Sequence, residues 1–75
     1  MSENDKWPGG FESGQRVKGV YGEGMVATIN YCWGIGPEFE GKTVEGTGIR
    51  EGLIPVIFDD VGCFWQSKYQ IKKVG

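Results

Sequence analysis

Leu53–Ser67 reads LIPVIFDDVGCFWQS, and this stretch decides the fold. Within Leu53–Asp59, Ile54, Val56 and Phe58 recur at every second position, which is the side-chain period of a strand. Asp60-Val61-Gly62 then supplies turn chemistry, and Cys63–Ser67 returns as a second, aromatic-rich strand. Pro55 points away from the Ile54/Val56/Phe58 face. Because it lacks an N–H, it predicts a free edge or a bulge at its place in the sheet.

The same alternation extends on both sides of this hairpin. Upstream, a Ser13-Gly14 turn leads into a first strand, Gln15–Tyr21 (QRVKGVY). Gly22-Glu23-Gly24 predicts a tight connection into a second strand, Met25–Trp33 (MVATINYCW). Val26 and Ile29 lie three apart, which predicts a bend or bulge that lets both face inward. Downstream, Ser67-Lys68-Tyr69-Gln70 suits a single 3₁₀ turn, and Ile71–Val74 a short fifth strand. No window carries a helical period longer than one turn. Gly34–Gly52 (GIGPEFEGKTVEGTGIREG) reads as a long glycine-rich loop, with a short extra strand around Lys42–Glu45. Residues 1–10, MSENDKWPGG, read as a flexible tail whose Trp7 is solvated, folded back over the end of the domain, or an anchor in a complex. Residues 11–75 read as one domain.

Composition agrees with an all-β class. The chain has 75 residues, room for a single domain and a thin core. Three Trp, three Tyr and four Phe enlarge that core, because each ring buries roughly 150–250 Å². Fourteen glycines against three prolines, set between apolar runs, read as tight turns and bulges. The net charge of −2 is no polyanion-binding field, and it is far too weak for a DNA-mimicking surface. With no histidine and no CxxC spacing, Cys32 and Cys63 predict no zinc site. Two free thiols packed in or near the core are the expected state, with a single Cys32–Cys63 disulfide as the alternative. No cofactor is expected. No apolar run approaches the ~18–20 residues that span a bilayer, and residues 1–10 lack the apolar segment of a signal peptide. No membrane contact is expected, and the cytoplasm is the expected compartment.

The outline Gly14-Gln15-Arg16-Val17, Gly24-Met25-Val26 through Ile29, Val56-Ile57-Phe58-Asp59-Asp60, Trp65 and Ile71-Lys72-Lys73-Val74 covers Phe11 to Gly75. In this order, with a helical turn before the last strand, it resembles the SH3-like small β-barrel superfold, in the group of Tudor and KOW domains. The resemblance implies a five-stranded, partly open barrel in which the first and last strands pair. It implies architecture only, since this superfold hosts many unrelated partners.

Gly36–Thr43, GPEFEGKT, fits the spacing of a phosphate-binding loop. Such a loop needs a helix after it, and VEGTGIREG does not continue one. Glu38 and Glu40 also sit where phosphates approach, so the match is read as chance. Asp59 and Asp60 lie at the end of a strand and in a turn, where an Asp side chain caps backbone N–H groups. No catalytic residue is assigned.

The aromatic residues are the main functional candidates. Tyr31, Trp33, Phe39, Phe64, Trp65 and Tyr69 are too many for so small a core, and an exposed subset predicts a contact surface for another protein. Arg16, Lys18, Lys68, Lys72 and Lys73 come from the first and last strands or the turn before the last. The pairing that the resemblance implies gathers them into a basic face for RNA or DNA. The bland reading of that face is a solvated edge whose lysines discourage strand pairing. The expectations therefore rank as follows: a non-enzymatic interaction module, accessory or inhibitory, docking on a protein through the aromatics and the 34–52 loop; then a nucleic-acid-binding barrel; last, a small oligomeric enzyme.

Overall fold

The computed structural model of the protein describes residues 6–28, 36–44 and 52–74. Within them the chain forms nine short strands. These are β1 (Lys6–Trp7), β2 (Phe11–Glu12), β3 (Arg16–Gly19), β4 (Gly22–Val26), β5 (Glu38–Phe39), β6 (Lys42–Thr43), β7 (Leu53–Phe58), β8 (Gly62–Ser67) and β9 (Lys72–Lys73). Five of them make one antiparallel sheet in the order β8-β7-β4-β3-β9, and β1-β2 and β5-β6 are separate two-stranded ribbons.

The hairpin read from Leu53–Ser67 is β7–β8, in register from Leu53↔Ser67 to Phe58↔Gly62. The first hairpin, β3–β4, turns at Val20–Tyr21 and pairs Gly19 with Gly22. The expected connection at Gly22-Glu23-Gly24 is therefore displaced, and those residues open the next strand. Gly24 belongs there for a steric reason: a Cβ on it would stand 2.6 Å from the Ile57 carbonyl oxygen. The expected 3₁₀ turn before the last strand is a single hydrogen-bonded turn, Gln70 N–H to Ser67 O at 3.0 Å.

The expected barrel is corrected to an open sheet, with β8 and β9 as its edges. Two features oppose closure. The last strand is only two residues long and pairs with β3 alone among the described residues. On β8, the alternation that aims Pro55 and Asp59 at β4 aims the backbone of Cys63, Trp65 and Ser67 outward. Side chains occupy part of that outward row. The Gln66 amide donates to the Trp65 carbonyl at 3.1 Å, and the Ser67 N–H donates to Gln70 Oε1 at 2.8 Å.

β7 is buried from Ile54 to Phe58 on both its faces. On one side Ile54, Val56 and Phe58 pack with Val17, Val26, Ile71, Trp7 and Phe11. On the other, Ile57 packs with Ala27 and Val44, and half-buried Phe39, Cys63 and Trp65 cover them. The β5–β6 ribbon supplies that second cover. Thr28 and Glu38 exchange both backbone bonds (2.7 and 3.0 Å), and the Thr28 hydroxyl donates to the same Glu38 carbonyl. The segment resembling a phosphate loop is thus a β-ribbon whose turn, Glu40-Gly41, has two positive φ angles (53° and 77°). The expected extra strand near Lys42–Glu45 is β6.

From Lys6 onward the expected flexible tail is corrected as well. Trp7 is 5% exposed and belongs to the core. Its indole N–H donates to the Ala27 carbonyl at 2.9 Å, and its ring meets Trp65 edge-on at 6.2 Å. The physical reason lies in Pro55. Ala27 stands opposite Pro55, and its N–H donates to the Pro55 carbonyl at 2.9 Å. The return bond would come from the N–H that proline lacks. The Trp7 indole takes its place, with the Ser13 hydroxyl at 3.2 Å as a second donor.

This packing sets two expectations for stability. Phe58→Asp buries an unpaired carboxylate at a site that is 1% exposed, and we expect it to unfold the domain, costing about 3–5 kcal/mol. Trp7→Phe keeps an aromatic ring but removes the indole donor to Ala27 and part of the volume of a buried side chain. We expect about 2 kcal/mol in urea titration from the two losses together, and a further loss beyond additivity when Ser13→Ala is combined with it. Strict additivity would show that the carbonyl is satisfied some other way.

Candidate functional site

Beside the edge strand the chain forms an open groove of about 540 Å³, lined by Lys18, Gly19, Val20, Tyr69, Gln70, Lys72, Lys73 and Val74. The backbone explains its composition. β3 and β9 pair Val17↔Lys73 and Lys18↔Lys72, so two lysines stand directly opposite one another. Val17 points inward and is fully buried, which leaves Lys18 on the outer face. Lys18 also has Glu23 opposite it in β4, whereas among the described residues Lys72 has only Lys18 across its ladder. No carboxylate lines the groove among the described residues.

Tyr69 enters the groove from the turn before β9. Three bonds fix this turn: Ser67 N–H to Gln70 Oε1 (2.8 Å), Tyr69 N–H to Ser67 Oγ (3.3 Å) and Gln70 N–H to Ser67 O (3.0 Å). The ring itself is 85% exposed. Lys68 Nζ stands over it at 5.3 Å, and Lys73 Nζ stands over Phe11 at 5.7 Å. Val20, 69% exposed, and Val74 add apolar floor.

Of the five basic candidates, Lys18, Lys72 and Lys73 line this groove and Lys68 stands beside it over Tyr69. Arg16 does something else. Its guanidinium holds Asp59 by two bonds, at 2.7 and 3.2 Å. That hydrogen-bonded pairing holds the Asp59 carboxyl below the usual carboxylate range.

The aromatic candidates do not share one surface among the described residues. Phe39, on β5, and Trp65, on β8, are half-buried and pack against the Ala27, Val44 and Ile57 cluster. Phe64 is 37% exposed and stacks on Tyr21 at 4.7 Å, beside the exposed Val61 turn. Tyr69 stands in the lysine groove. Tyr31, Trp33 and the 34–35 and 45–51 parts of the expected contact loop lie outside the described residues, as do Cys32 and Ile29. Where the 34–52 segment is described, it covers the sheet. Val20 and Tyr21 were missed by the sequence reading because the turn was placed two residues late. The signal was the pair of apolar residues set between Gly19 and Gly22.

Cys63 is a free thiol. Burial pushes its pKa up, the opposite of what activates a nucleophile. No group of three or more metal-binding side chains occurs among the described residues.

The Arg16–Asp59 pair carries a pH prediction. The folded-state pKa of Asp59 lies below the ordinary value of 3.8. Its stabilisation is therefore complete above that value and is lost as pH falls through the lowered one. Urea melts should show acid destabilisation that is shallower in Arg16→Gln; equal acid slopes would mean the pair contributes nothing in solution. Compared with protein-family models, with curated proteins and with solved structures, the chain matches none.

Proposed function

We propose that this chain is a non-enzymatic binding module of the SH3-like kind, and that it holds an extended polyanion in the Lys18/Lys72/Lys73 groove. The pairing of the first sheet strand with the last supports the SH3-like part of this reading. The observation that carries the binding part is the Lys18–Lys72 pair. Like charges directly opposite on neighbouring strands destabilise a sheet. Edge protection needs a lysine, but it does not need two facing each other. A bound anion removes the repulsion and makes the arrangement favourable.

A net charge of −2 fits this reading in one specific way. Without a long-range field, attraction is confined to the groove, so binding is short-ranged and strongly weakened by salt.

A second reading, docking on another protein, is favoured by the exposed stack of Tyr21 on Phe64 beside Val61. In that reading Phe39 and Trp65 are not contact residues, because they hold the ribbon on the sheet.

The test is fluorescence anisotropy with three labelled polyanions, namely polyphosphate, polyglutamate and oligothymidylate, at low salt. We expect binding that falls as salt rises. Lys18→Gln/Lys72→Gln should abolish it while leaving the melting temperature unchanged or slightly higher, since the like-charge pair is gone. If none of the three binds, or if the double variant binds as the parent does, the groove is not the site.

A further inference from the structure

Resting on that reading of the groove, we infer that its polyanion is single-stranded nucleic acid, with one unpaired base stacked on Tyr69 and its flanking phosphates on Lys18 and Lys72. Charge alone does not distinguish a phosphodiester from a polycarboxylate. Tyr69 does. A ring 85% exposed gains little for the fold, and the Lys68 ammonium stands over its face. Yet the turn that carries it is pinned on both sides: the Tyr69 N–H donates to Ser67 Oγ at 3.3 Å, the Ser67 N–H to Gln70 Oε1 at 2.8 Å and the Gln70 N–H to the Ser67 carbonyl at 3.0 Å. The turn is built to hold an aromatic face outward at a fixed place.

That place is the wall of a groove whose other members are lysines, Gly19, Gln70 and the apolar Val20 and Val74. Anionic points beside a flat apolar face are the alternating chemistry of a nucleotide chain, with phosphate, sugar and base in turn. A polycarboxylate or polyphosphate satisfies the lysines and leaves the ring idle. In a duplex the base faces are already stacked on one another, so Tyr69 selects single strands. Stacking accepts any base, and no side chain in the groove except Gln70 offers both an amide donor and a carbonyl acceptor to read a base edge. Low sequence preference follows.

The experiment compares oligothymidylate, a duplex of equal length, polyphosphate and polyglutamate on the parent, Tyr69→Ala, Tyr69→Phe and Lys72→Gln. Oligothymidylate should bind the parent most tightly. Tyr69→Ala should weaken it about tenfold without changing polyphosphate binding, and Tyr69→Phe should restore it. Ring protons of Tyr69 should shift upfield in NMR spectra as a base stacks. Lys72→Gln should lower the salt dependence for oligothymidylate by a slope of about 0.7. If Lys72→Gln weakens every polyanion alike and Tyr69→Ala weakens none, the groove binds anions but the nucleic-acid assignment fails. Duplex or polyglutamate binding as tight as oligothymidylate overturns it in the same way.

Discussion

The fold depends on how one missing hydrogen-bond donor is replaced. β7 lies between β4 and β8 and is buried on both faces, yet it contains Pro55. A proline in a central strand leaves a carbonyl opposite it without a partner, and a buried unpaired carbonyl costs about 1–3 kcal/mol. Here that carbonyl belongs to Ala27, itself fully buried. The chain solves this by bringing Trp7 back from the β1–β2 ribbon, so that the indole N–H fills the gap at 2.9 Å. The same ring then meets Trp65 edge-on and joins the main core. A segment that composition alone assigns to a tail is therefore part of the sheet's closure.

Once β7 is secured, the rest of the architecture follows from its two buried faces. A single thin core does not stabilise a sheet of this size well. The β5–β6 ribbon adds a second layer over Ala27, Val44 and Ile57, held to the sheet through Thr28 and Glu38. Phe39 and Trp65 pack against this layer and are half-buried by it. On the opposite edge the described residues supply no such cover. β9 is two lysines long and ends the sheet, so the ground beside it stays open to solvent. The openness of the sheet and the presence of the groove have the same cause.

What was legible in the sequence was whatever depends on alternation and turn chemistry. Ile54, Val56 and Phe58 declare their shared face, Gly62 declares the hairpin, and the first-to-last strand pairing was implied by the resemblance to SH3-like barrels. Pro55 was legible too, but as a question: it demanded an edge or a bulge, and the structure answers with a side-chain donor from twenty residues upstream of Ala27. Trp7-Pro8-Gly9-Gly10-Phe11 did carry a signal, two aromatics flanking a turn sequence. Its polar surroundings masked it. The cluster of Lys18, Lys72 and Lys73 was foreseeable only through the pairing of strands far apart in the chain. The exposure of Tyr69 against the burial of Trp65 was not foreseeable, because both sit in the same aromatic-rich stretch. Packing against the ribbon, a tertiary event, separates them.

The placement of charge on the sheet argues for function more strongly than any single residue. Arg16 and Lys18 alternate on one face of β3, and each has an acid within reach of its strand neighbours, Asp59 for Arg16 and Glu23 opposite Lys18. If the face served only solubility, the same pairing would be expected at β9, where an acid opposite Lys18 would have been stabilising. Lys72 stands there instead, followed by Lys73. The pattern is complementary along β3 and β4 and turns repulsive at the one edge that borders the lysine groove. A sheet edge tuned for stability alone would not break its charge alternation at that point, whereas an edge that meets an anion has a physical reason to do so.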